Sequence, residues 1–332
     1  MRQSLKDLID KTLFFEYSLP TKEINTKINL STHPDDCFSY SSDDDLSELL
    51  AALNGLTDGI FSTIEILSMR FFTEKGSNYS PSDDLRSVGR QAILKLLSMH
   101  RDEISRQQLH GMDRVIAECL SEPAPKNEIR DIINLLCSGV ETYRLYGFEL
   151  ETVIAYLVKK YPEFVLDRVL IDSENSEQLI YLLFKDRVHR SSSPLNLAPI
   201  ERVLNWCNGN QDRIHKVAGA VSAYTSLDKE SQPLDNPKKL VLSHHITSLL
   251  DAAENKVAIV ETIFSRSFPS GWSGSLADIL EVRSEAFADL LNHVSPEVRE
   301  IARTKLSLLN RSIRENRERE AEEYNRREQR FE

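Results

Sequence analysis

The stretch LLNHVSPEVREIARTKLSLL, residues 290–309, decides the fold. Leu290 and Leu291 close one apolar stripe, NHVSP interrupts it, and a second stripe begins at once with Val298, Ile301 and Ala302. Ser295 before Pro296 is a start signal. A serine oxygen accepts from the first free amides of a helix, and proline costs nothing at the first helical position because that N–H has no partner anyway. Leu276, Ile279, Leu280 and Phe287 supply the stripe upstream. The segment therefore reads as two helices joined by a very short turn, with Ala302 small enough for the partner helix to approach closely.

Working outward, the same pattern recurs. Leu150, Val153, Ile154 and Leu157 occupy one helical face, and a helix carrying Tyr161, Phe164 and Val165 follows around Pro162. Pro199 opens a helix with Ile200, Val203, Leu204 and Cys207, CNGNQ turns the chain, and Ile214, Val217, Ala218 and Val221 form the next face. Leu242, Ile246, Leu249 and Leu250 lead through DAAEN to Val257, Val260 and Phe264. Glu163, Asp212, Lys256 and Glu297, which open the second helix of each pair, are 49, 44 and 41 residues apart. Such a period resembles HEAT or armadillo stacking, in which each pair hides its apolar face only against its neighbour. The segment 290–309 is similar to the second half of a HEAT repeat. An irregular helical domain built from similar hairpins is the alternative.

The expected fold class is all-α, an N-terminal helical bundle followed by an irregular HEAT-like helix-pair solenoid. Residues 1–17 read as a short amphipathic helix carrying Leu5, Leu8, Ile9 and Leu13, and 18–44 as a polar linker. Helices are expected near 45–54, 58–74, 83–100 and 102–121, making a bundle over 45–122. The proline-containing SEPAPKNE, residues 121–128, marks the boundary to helical repeats over 123–310. Residues 311–332, RSIRENREREAEEYNRREQRFE, form a charged C-terminal helix supported by i, i+4 pairs such as Glu315–Arg319 and Glu322–Arg326. Asp43, Asp44 and Asp45 suit the positive end of a helix rather than a metal ion, because three consecutive carboxylates cannot all face one ion.

Charge and motifs narrow the chemistry. The net charge of −11 disfavours general binding to a phosphate backbone, and no apolar run is long enough for a membrane span, so a soluble cytoplasmic protein is expected. Cys37, Cys119, Cys137 and Cys207 have neither zinc-site nor redox-pair spacing and read as buried thiols. No phosphate-binding loop, dinucleotide fingerprint, zinc-protease motif or EF-hand occurs. Gly271-Trp-Ser-Gly-Ser275 lacks the final glycine of a hydrolase elbow and reads as a loop, with Ser273 or Ser275 capping the helix from Leu276. His244 and His245 point about 100° apart on a helix and cannot form a metal pair. His215 and His293 lie beside turns. No catalytic, cofactor or metal residue is assigned.

The closing 65 or so residues, from SGWSGSLADILEV through SPEVR to the Arg/Glu helix ending RFE, resemble the C-terminal region of large bacterial anti-phage defence proteins. In those proteins an effector or nucleotide-switch module precedes a helical, repeat-built region. The resemblance implies a sensing or scaffolding role, and without an upstream phosphate-binding loop or nuclease motif it implies no switching or effector activity. The leading expectation is a non-enzymatic protein–protein interaction scaffold. Trp206, Trp272 and Arg299 are its candidate partner-binding residues, since aromatics and arginines near turns dominate binding energy; a core role for both tryptophans is the competing reading. A hydrolase or nuclease with a site assembled from distant helices, and an RNA-binding helical repeat, are the alternatives.

Overall fold

A computed structural model describes residues 42–55, 59–73, 80–99, 112–121, 124–147, 150–184, 193–227, 239–269 and 271–329. The expected N-terminal helix over 1–17, Cys37 and nearly all of the expected linker lie outside these residues. The described chain is overwhelmingly α-helical and divides into two compact units between Tyr156 and Leu157.

The first unit opens with α1, Asp43–Leu53, two residues earlier than its stripe suggests. Ser42 caps it by accepting from the Asp45 amide at 3.2 Å, which places all three aspartates in the first turn. Asp43 does more than complement the helix dipole. It accepts from the Ser82 amide at 2.8 Å and pairs with the nearly buried Arg70 at 3.3 Å, tying α1 to α2 (Gly59–Thr73) and to the start of α3 (Asp83–Ser98). Helix α4, Met112–Cys119, crosses α3 at Gly89, where an added Cβ would sit 2.2 Å from the Cys119 sulfur. Only glycine permits that approach.

Helix α4 ends at Cys119 and the next helix begins at Lys126, while the division between the two compact units lies further on, after Tyr156. Helix α5, Lys126–Glu141, packs back on α3 through the Arg90–Glu128 ion pair, while Arg90 also donates to the Cys119 carbonyl at 3.1 Å. Arg144 after α5 donates to the Leu97 and Met99 carbonyls at the end of α3. The division falls inside α6, Glu151–Lys160, because the buried face of α5 has its partner upstream.

In the second unit, α7 (Pro162–Leu166) continues as one wide π turn to Ile171 and is followed by α8 (Ser176–Phe184). Next come α9 (Ile200–Cys207) and α10 (Gln211–Ala220), then α11 (His244–Ala252) and α12 (Lys256–Ser265), then α13 (Leu276–Ala288) and α14 (Pro296–Glu328). Each pair packs internally, and α9 touches α11, α10 touches α12 and α12 touches α14. The seam is apolar: Val203, Val217, Ile246, Leu249, Ile259, Ile263, Leu280, Phe287, Val298 and Ala302 are fully buried.

One detail differs from the periodicity. Leu242 belongs not to the α11 stripe but to β2, Leu240–Leu242, which pairs antiparallel with β1, Tyr224–Ser226. Aromatic and β-branched residues favour the extended form there, and Ser243 blocks backward growth of α11 by capping it, accepting from the Ile246 amide at 3.3 Å. The charged stretch from residue 311 extends the last pair, since α14 runs unbroken through it and keeps Leu309 and Ile313 buried. In that charged stretch Glu315 is held by Arg311 at 2.8 Å, and Glu322 meets Arg326 at 3.6 Å as its spacing predicts.

Candidate functional site

The turns joining the two helices of successive pairs share one device, a cation from the second helix that reaches back to carbonyls at the end of the first. In the first, Asn208 and Gly209 take left-handed backbone with φ of 46° and 71°, and Asn210 caps α10. Arg213 then reaches back to the Trp206 carbonyl at 2.7 Å. In the second, Lys256 donates from Nζ to the Leu250, Asp251 and Ala253 carbonyls at 2.8, 2.7 and 3.0 Å. In the third, Arg299 donates to the His293 and Val294 carbonyls at 2.7 and 2.9 Å. A helix ends with unpaired carbonyls, and a cation from the start of its partner satisfies them while opposing the negative end of the dipole. These three cations are each 43 residues apart.

Neighbouring turns also bond to one another. The Gln211 amide oxygen accepts from the Glu254 backbone N–H at 2.9 Å, and His293 Nε2 lies 3.3 Å from Asp251. Elsewhere in the unit, Arg202 forks onto Glu163, buried His245 donates from Nε2 to the Ala198 carbonyl at 2.8 Å, the Tyr224 hydroxyl meets Ser267 at 2.6 Å, and Lys305 pairs with Glu261 at 2.6 Å. The partners in all these bonds are 39 to 47 residues apart.

Trp206, Trp272 and Arg299 prove unlike one another, and no hydrogen bond, ion pair or ring contact among the described residues joins any two of them. Trp206 is 7% exposed, its indole N–H donates to Asp167 at 2.8 Å, and the Arg213 guanidinium stacks on its ring at 4.5 Å. It is an internal anchor rather than a contact surface; the i, i+3 apolar face it joins is completed by Asp167, which no local pattern marks. Arg299 is half-buried and committed to its turn. Of the three, Trp272 alone is exposed, at 51%, and Phe268, four residues earlier, is 41% exposed. The intervening loop ends at Ser275, which caps α13 by accepting from the Asp278 amide at 3.1 Å. Phe268 is anchored edge-on to Phe264 at 5.5 Å, and Phe264 in turn meets Phe287.

Shifted ionisable groups have structural causes. Burial pushes the Cys119 thiol up to about 12 and Cys207 to about 11, where a thiol is a poor nucleophile near neutrality. Burial likewise raises Tyr224 to about 12 and lowers His245. The buried serines Ser193 and Ser243 donate to the Ala220 and Ser222 carbonyls. Among the described residues, no group of three or more Cys, His, Asp or Glu side chains is placed to hold a metal ion, and no helix is long and apolar enough to cross a membrane. The chain matches no known family, no curated protein and no solved structure.

Proposed function

We propose that the protein is a non-enzymatic scaffold or sensor module, a HEAT-like stack of helix pairs whose Trp272 loop engages a protein partner. The observation that carries this reading is the 43-residue spacing of Arg213, Lys256 and Arg299, together with bonds whose partners lie 39 to 47 residues apart. Recurrent bonds between elements about one helix pair apart are what nearest-neighbour stacking requires. A role within a defence system is part of this proposal and rests on the resemblance read from the sequence of the last 65 residues alone. Trp272 supports the choice of surface, since an exposed tryptophan on an anchored loop has the composition of an interface hot spot. Affinity purification of the full chain with the products of its neighbouring genes tests the reading. A stoichiometric protein partner that is retained by the wild type and lost at least tenfold by Trp272→Ala is expected. Retention of the partner by that variant would remove the assignment of the loop, and recovery of no partner would remove the scaffold.

A further inference from the structure

Among the described residues of α14, Ile313 is the last buried side chain, yet the helix continues to Glu328. Upstream, Val298, Ala302, Leu309 and Ile313 form an apolar seam. Downstream, only Asn316 and Glu320 are half-buried, and the other described side chains through Arg327 are exposed.

Two polar contacts attach this second half to α13. Arg317 reaches Asp278 at 3.2 Å and Glu281 at 2.6 Å. Three residues on, and so on the same face, one oxygen of Glu320 accepts from the Leu276 and Ala277 amides at 2.8 and 3.2 Å, and the other accepts from the Ser275 hydroxyl at 2.7 Å. A carboxylate on free first-turn amides is favoured by hydrogen bonding and by the helix dipole together. Burial alone would raise the Glu320 pKa, but its bonds from Ser275, Ala277 and Leu276 outweigh that and hold it below the ordinary value. Arg317 is an exposed partner that salt screens.

We propose that α14 beyond Ile313 is a latched arm, docked on α13 through Glu320 with Arg317 as a second clasp, and that it undocks as a unit when the Glu320 carboxylate is removed. Release uncovers Ser275 and the first turn of α13, next to the loop that carries Trp272. The arm thereby governs how that end of the second unit is presented, independently of whether a partner binds there.

Residue-resolved hydrogen exchange on the full chain tests the arm, comparing wild type with Glu320→Gln, Glu320→Ala and the exposed control Glu322→Gln. Exchange of the Leu276 and Ala277 amides, and of the amides from 314 to 327, is expected to rise at least tenfold in Glu320→Ala and less in Glu320→Gln. The amides of Val298–Leu309 stay as in the wild type, and Glu322→Gln, which loses only its exposed pair with Arg326, changes exchange in 314–327 by no more than about twofold. Unchanged exchange at 276, 277 and 314–327 in Glu320→Ala would overturn the latch. Acceleration extending through Val298–Leu309 would show that no separate arm exists.

Discussion

Replacing Lys256 with methionine isolates the contribution of one turn cation, because methionine retains most of the apolar stem and removes the three donated bonds to Leu250, Asp251 and Ala253. A hydrogen bond involving a charged group is worth about 1.5–3 kcal/mol, but these carbonyls sit at a surface turn where water replaces part of the loss. The helix-dipole contribution adds about 0.3–1 kcal/mol. A net destabilisation of about 1–2 kcal/mol follows, and for a unit of this size it lowers Tm by about 2–8 °C. Urea unfolding with the slope unchanged measures it, and Lys256→Arg recovers part of it. If the three cations are equivalent, Arg213→Met and Arg299→Met cost the same within about 1 kcal/mol, and the Arg213/Arg299 double variant is additive because the two turns share no partner. A Lys256→Met effect below about 0.3 kcal/mol would refute the argument that these cations hold the turns, and with it the 43-residue ruler.

Other outcomes follow from single contacts. Trp206→Phe deletes the donor to Asp167 and is expected to cost about 1–3 kcal/mol in chemical unfolding, whereas Trp272→Phe, on an exposed loop, costs less than about 0.5 kcal/mol; equal losses would show that the two tryptophans are misassigned. Ala302→Glu forces a carboxylate into a site with no exposure and is expected to cost about 3 kcal/mol or more, with exchange protection lost first in α13 and α14; an unchanged melting curve would misplace that helix. His245 titrates below its ordinary value of 6.5 in the folded chain because it is buried, with the bond to Ala198 and the Glu201 charge only partly opposing that and His244 adding to it. The unfolded chain therefore binds more protons, so the contribution of neutral His245 is complete above about pH 6.5 and is lost as pH falls through the depressed folded value. His245→Gln flattens that acid limb, and a limb identical to the wild type would exclude His245 as its source. Cys119 and Cys207 are expected to resist alkylation until the chain unfolds, and rapid labelling at neutral pH would contradict their burial.

Much of the helical layout was legible because capping is a local interaction. Ser82, Asn210, Ser275 and Ser295 each accept from an amide three residues on, so residue type and spacing suffice to place a helix start. The β pair was not legible, since three residues per strand give no periodicity to detect and Leu242 happens to extend the α11 stripe backward. The period measured from Glu163, Asp212, Lys256 and Glu297 drifted because those residues merely open helices, whereas Arg213, Lys256 and Arg299 share a job at different positions in the first turns. Recurrent cations at one separation were the signal that could have found them.

Local patterning was enough for helical class, helix starts and the short turns of the pairs, because backbone propensity, caps and 3.6-residue periodicity act within a few positions of one another. Which surface each residue ends on was settled only by packing. Trp206 is internal because Asp167 takes its N–H, Arg299 closes its own turn, α5 turns back to the first unit through Arg90 and Glu128, and Glu320 finds amides more than forty residues upstream. Those partners are far apart along the chain, so nothing in the neighbourhood of either residue encodes the pairing, and only the folded arrangement brings them within a hydrogen bond.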